Sequence, residues 1–284
     1  MHSETSFVIP KMEYTRIGVT SDVTLAVSVG PAPGKYGIVY IHGILQAALS
    51  WKYQLGSPKL AQWTSVAFDL RGHGFSSKPQ EPRNYNSGDS WSSDLKAVLD
   101  WSGLERVILV GWSFGGRIML DYLERNENDK RIAGLVFIDA NTKSAPGHVS
   151  QECLDVLIRA KSANMADNIA ARAKFVDMCF ERSPSEADLA EILAYNNMMP
   201  PQALEATMGR AMDHDGLMRR LRHPTVVIHG QNDRLSLVAS GRHTASTIPD
   251  ARLRVLEGIG HTPQVEASDE VNAILADFAA EIFA

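Results

Sequence analysis

Residues 111–115 read Gly-Trp-Ser-Phe-Gly, which places one serine between glycines. The stretch sits where the apolar pattern changes period. Residues 107–110 are a run of branched apolar side chains suited to a strand, whereas from Phe114 onward the apolar residues recur at helical spacing. A sharp strand-to-helix break needs glycines so that backbones can pass closely. A serine at the apex is held in a strained conformation with its hydroxyl pointing into the crevice. The helix start adds partial positive charge and free N–H groups at the same point. Gly-x-Ser-x-Gly in this context is a nucleophile elbow, with Ser113 as the attacking residue.

A serine hydroxyl is a poor nucleophile near neutral pH and needs a base, which in turn needs an orienting acid. Of the nine histidines, His261 stands in "EGIGHTPQVE", a glycine-flexible loop between the last strand and the last helix. Asp233 stands in "HGQNDRLS", directly after the strand "TVVIHG". Asp139 in "FIDAN" also ends a strand at the same edge and competes for the role of acid. Acyl chemistry further needs two donors for an oxyanion. The N–H of Phe114 is one candidate. The N–H of Ile44, in "HGILQAALSW", is the other, with His42 bracing that loop rather than acting as a base.

The elements that must position these residues follow from the rest of the chain. Residues 13–19 and 23–29 alternate around a turn and read as an antiparallel hairpin. Runs at 37–43, 64–70, 106–112, 132–139, 225–230 and 252–258 are short, apolar and rich in β-branched residues, as strands buried on both faces are. Helical periodicity fills about 49–62, 90–103, 114–126, 236–247 and 266–283. This alternation predicts an α/β fold, a doubly wound, mostly parallel eight-stranded sheet with right-handed crossovers. Ligands of such sheets sit at the carboxyl edge of the strands, where all the candidate residues fall. Residues 141–221 break the alternation with helical pattern alone, more chain than one crossover needs. The expected organisation is a core of 1–140 and 222–284 with an inserted helical lid at 141–221.

Composition narrows the function classes. The chain has 284 residues, 21% of them charged, with a formal net charge of −5 and no block of like charge, which argues against nucleic acid as a partner. No segment reaches the roughly 18 uncharged apolar residues of a membrane span. The N-terminal stretch lacks the charged start and apolar core of a signal peptide, so a cytoplasmic chain is expected. Cys153 and Cys179 match no metal spacing and read as small buried hydrophobes; no metal site is expected.

"YIHGI", "FDLRGHGFSSKP", "VGWSFGG", "HGQNDRLS" and "GIGHTPQVE", in that order, make the chain resemble the α/β-hydrolase superfamily, in its serine-nucleophile branch with a helical lid. The resemblance covers about 30–140 and 222–284. It implies a Ser113–His261–Asp233 hydrolase without a cofactor, in which Asp69 and Arg71 fix loops rather than do chemistry. The expected activity is cleavage of a carboxylic ester of a small or medium apolar substrate. A lactonase, a hydrolase of carbon–carbon bonds in vinylogous diketones and a cofactor-free haloperoxidase or perhydrolase share the triad and stay open. A ligand receptor on the same fold is the non-enzymatic alternative. Leu45, Trp51 and Trp112 are expected to line the substrate pocket. The lid methionines mostly fill the lid's own core. The lid arginines Arg159, Arg172 and Arg210 receive no role, and oligomeric state is left open.

Overall fold

The computed structural model describes residues 12–32 and 34–284. Residues 1–11, on which most of the reading of the N-terminal stretch rests, lie outside the described residues. Among those described, one sheet holds β1 (Thr15–Gly18), β2 (Thr24–Val29), β3 (Tyr36–Ile41), β4 (Thr64–Phe68), β5 (Arg106–Trp112), β6 (Ile132–Ile138), β7 (Thr225–Gly230) and β8 (Arg252–Leu256). Their order across the sheet is β1-β2-β4-β3-β5-β6-β7-β8. The first hairpin pairs antiparallel with itself and with β4, and every other neighbour is parallel.

Side chains alternate between the faces of each strand. Val39 and Ile41 of β3 go to one apolar cluster and Ile38 and Tyr40 to the other. The first cluster is covered by α2 (Gly88–Ser102) and α3 (Phe114–Arg125), the second by α1 (Lys52–Leu55) and α11 (Ser268–Phe283). Crossovers between parallel strands thus bury the sheet from both sides, which is why its strands read as continuous apolar runs. α2 shows how local sequence sets an element. The Ser87 hydroxyl accepts the N–H of Asp89 at its start, and Gly103, at φ 66°, ends it in the left-handed conformation.

One element is shorter than its periodicity predicts. In place of a helix over 49–62 there is a 3₁₀ turn at Ala48–Trp51, then α1, then turns from Gly56. Gly56 and the Ser57–Pro58 pair stop the helix, because a residue before proline is pushed out of the α region.

Between β6 and β7 the chain runs through α4 (Gln151–Arg159), α5 (Met165–Met178), α6 (Glu186–Asn196), α7 (Pro201–Met208) and α8 (Asp215–Met218). Arg172 ties this stretch together. Its buried guanidinium donates to the carbonyls of Asn196 at 2.7 Å and Met199 at 2.8 Å. Met178, Met199 and Met212 are buried, whereas Met165 is 76% exposed. α9 (Val238–Thr247) and α10 (Pro263–Glu266) complete the element order.

Candidate active site

Ser113 sits at the junction of β5 and α3 with φ 54° and ψ −115°, a conformation that costs a non-glycine residue energy. The turn is possible because of its neighbours. A Cβ on Gly111 would come within 2.7 Å of the Gly115 backbone, and one on Gly115 within 2.2 Å of the Ile41 carbonyl oxygen. Phe114 opens α3, so its N–H has no acceptor within the helix.

His261 lies in the loop between β8 and α10, and three contacts hold that loop. The Trp112 indole donates to the His261 carbonyl at 2.7 Å. The Thr262 hydroxyl donates to the Cys179 carbonyl at 2.6 Å, and the Gly260 N–H donates to Glu266 Oε1 at 3.0 Å. Asp233 follows β7. Its Oδ1 accepts the N–H groups of Leu235 and Ser236, and its Oδ2 lies 2.7 Å from His261 Nδ1. Both side chains are buried. Burial alone would lower the His261 pKa, but the Asp233 carboxylate outweighs it and the net direction is up. For Asp233, burial pushes up while His261 and then His229 pull down, and the carboxyl is held at about 2.

Asp139, the competing acid, is turned elsewhere. Its Oδ1 accepts the Gly230 N–H at 2.8 Å and lies 3.4 Å from His229 Nε2. His229 is fully buried, and the same Nε2 is 3.4 Å from Asp233 Oδ2 and donates to the Ser236 carbonyl at 2.7 Å. The sequence reading passed over His229. Its only signal is a histidine inside β7, immediately before Gly230, which says nothing about what it faces. Asp139, His229 and Asp233 bring three ligand-type atoms within 4.8 Å of one another. Their hydrogen bonds to Gly230, Ser236 and His261 already account for most of them.

The loop after β3 carries Ile44. His42 braces it as expected: Nδ1 donates to the Gly43 carbonyl at 2.7 Å, and Nε2 accepts the Leu70 N–H at 3.0 Å. Burial holds His42 well below the ordinary histidine value, so it stays neutral. His73 accepts the Leu45 N–H in the same manner. Asp69 takes the N–H groups of Ala48 and Phe75, and Arg71 pairs with buried Asp94. Both residues do hold loops.

Ser113, Phe114, Ile44 and His261 share the wall of one open pocket. Leu45, Trp51 and Trp112 do not line it, which corrects the pocket expected from the sequence. Leu45 has φ 59° and its side chain turns into the core. Trp112 continues the period of Ile108 and Val110 and so goes to the opposite sheet face, where Trp51 meets it edge-on. The apolar wall comes instead from Cys153, Leu157, Phe175 and Met208, with Arg117 of α3. Burial pushes the Cys153 thiol up to about 12, so it serves as apolar lining.

Residues 37–183, just over half of the chain, match the alpha/beta hydrolase fold family. A putative aryl esterase from Burkholderia cenocepacia is similar in structure, with a TM-score of 0.90 and 27% identity over 95% of this chain and 99% of that one. The 2-hydroxymuconate semialdehyde hydrolase of Pseudomonas sp. strain CF600 is 28% identical over 87% of both chains. A putative non-heme chloroperoxidase of Synechocystis sp. is 26% identical over 94% of this chain and 99% of its own. No helix among the described residues is long and apolar enough to cross a membrane. With an eight-stranded sheet of this order and a match of this extent, the chain belongs to the alpha/beta hydrolase fold family and is an enzyme of that family.

Proposed function

We propose that the protein is a serine hydrolase that cleaves a carboxylic ester of a small or medium substrate through an acyl-enzyme. Ser113 Oγ attacks the acyl carbonyl while His261 Nε2 takes its proton. Asp233 holds the imidazole by Nδ1 and stabilises the imidazolium that forms. The N–H groups of Ile44 and Phe114 receive the oxyanion. His261 then protonates the departing alkoxide, and the alcohol leaves. Water, deprotonated by the same imidazole, attacks the acyl carbon; the acid is released and Ser113 regains its proton. Residues 141–221 act in this reading as a lid over the site. Asn196 Nδ2 donates to the Leu45 carbonyl at 3.1 Å, which ties that lid to the oxyanion loop.

The observation that carries the reading is the 2.7 Å contact of His261 with Asp233 beside a cavity that both His261 and the strained Ser113 line. A cytoplasmic location belongs to the same proposal, supported by the two buried, free cysteines. The relative named as a 2-hydroxymuconate semialdehyde hydrolase favours a second reading, hydrolysis of a carbon–carbon bond by the same residues. Hydrolysis of p-nitrophenyl esters from acetate to decanoate, with Ser113→Ala as control, tests the first reading. Ester turnover that depends on Ser113 is expected. A folded wild-type protein inert across the series overturns it.

A further inference from the structure

Among the described residues lining the cavity, Arg117 and His261 carry the only titratable cations, and no carboxylate joins them. Arg117 lies one helical turn after Ser113, on the same side of α3. Its Nε donates to the Asn141 carbonyl at 2.8 Å and its Nη1 lies 3.7 Å from Met212 Sδ. Among the described residues, no carboxylate oxygen comes within salt-bridge distance of it. The nearest acid along the helix, Asp121, is already engaged: it accepts Arg210 Nη2 at 2.5 Å and lies 3.7 Å from His214. Burial and then the Arg210 charge push the Arg117 guanidinium down to about 10, which still leaves it a cation at neutral pH.

Arg117 is half-buried, and a partly desolvated cation with no counter-charge beside it is open to an anionic partner. The other arginines near the site are satisfied within the protein. Arg172 is spent on lid carbonyls and Arg210 on Asp121. Arg117 instead shares the pocket wall with Leu157, Phe175 and Met208, and while its Nε and Nη1 meet Asn141 and Met212, its Nη2 makes no hydrogen bond among the described residues. A guanidinium edge is shaped for the two oxygens of a carboxylate.

We propose that Arg117 is a specificity residue that binds a free carboxylate on the substrate, so that the enzyme prefers acidic esters or lactones with an apolar spacer between the two groups. The proposal rests on the ester-hydrolase reading and narrows its substrate class. The apolar wall would hold the spacer, and Ser113, one turn away, would meet the ester carbonyl.

The test uses two matched pairs of substrates with the wild-type enzyme. Mono-p-nitrophenyl adipate against p-nitrophenyl hexanoate places the charge on the acyl side. 4-Acetoxybutanoate against butyl acetate places it on the alcohol side. The acidic member of at least one pair is expected to show kcat/KM higher by about ten-fold or more, chiefly through KM. In Arg117→Met, checked for fold by circular dichroism, the ranking of that pair should reverse, and Arg117→Lys should recover part of it. A wild-type preference for the neutral member in both pairs overturns the proposal. So does an acidic preference that survives in folded Arg117→Met. If Arg117→Met does not fold, competition by adipate against hexanoate in the wild type decides, with adipate expected to inhibit more strongly. Should neither pair be hydrolysed, the ester reading fails, and carboxylate binding is read separately. Adipate raising the wild-type Tm more than hexanoate would support the Arg117 site, and equal shifts would overturn it.

Discussion

His229 Nε2 lies 3.4 Å from Asp139 Oδ1, with both side chains wholly buried behind the Asp233–His261 pair. Burial alone would lower the His229 pKa, but Asp139 and then Asp233 outweigh it and push it up to about 9. The cost of that burial shows at His229 Nδ1, a buried atom with no hydrogen-bond partner among the described residues. Asp139 is pushed up to about 7 by burial, against the pull of His229.

Both shifts have the same consequence for stability. A group whose folded pKa exceeds its unfolded value contributes stability at low pH and loses it as pH rises through the folded value. For Asp139 the loss runs from about 4 to about 7, and for His229 from about 6.5 to about 9. The urea midpoint of the wild type should therefore fall as pH rises from 6.5 to 9. His229→Gln, which cannot take the charge, should flatten that part of the profile. A wild-type midpoint that rises across this window would show that His229 is neutral in the fold.

The His261–Asp233 contact sets the pH dependence of turnover. A protonated imidazole cannot accept the Ser113 proton, so kcat/KM falls below the His261 pKa. Because that pKa is raised, the acidic limb should lie above 6.5, the ordinary histidine value. Asp233→Asn should lower kcat by on the order of 10³–10⁴-fold and move the residual limb to lower pH. Initial rates across pH 5–9 on a p-nitrophenyl ester check both effects. An Asp233→Asn limb at the wild-type position would return the role of acid to Asp139.

Gly115→Ala isolates the geometry of the elbow. The added methyl would meet the Ile41 carbonyl oxygen at 2.2 Å, and that oxygen belongs to a central strand that cannot yield. The expected cost is about 1–3 kcal/mol of stability, read as a lower Tm, with kcat reduced because the shift passes directly into Ser113. A variant of wild-type Tm and rate would mean that the junction has room to spare.

Arg172→Met removes a buried donor from the carbonyls of Ala160, Asn196 and Met199. We expect a loss of about 3 kcal/mol, with hydrogen exchange accelerating in α5 and α6 ahead of the sheet. Uniform acceleration across the whole chain would show instead that helices and sheet unfold as one unit.

The α/β alternation, the elbow at Ser113 and the loops bearing Asp233 and His261 were legible because they rest on local signals. β-branched runs mark strands, glycines mark tight turns, and both act over a few residues. Even the bracing role of His42 follows from its place at a strand end. What the sequence left open depends on partners far along the chain. Asp139 and Asp233 end neighbouring strands, and only the folded loops decide that His261 meets the second. Trp112 precedes the nucleophile and Trp51 ends the stretch that carries Ile44, yet strand period and a tight turn send both into the core on the far face. Cys153, Leu157, Phe175 and Met208 reach the cavity from helices whose packing no local pattern encodes. Nothing local sets Arg117 apart from any other helical arginine, because whether a charge is compensated is settled by every element that packs around it.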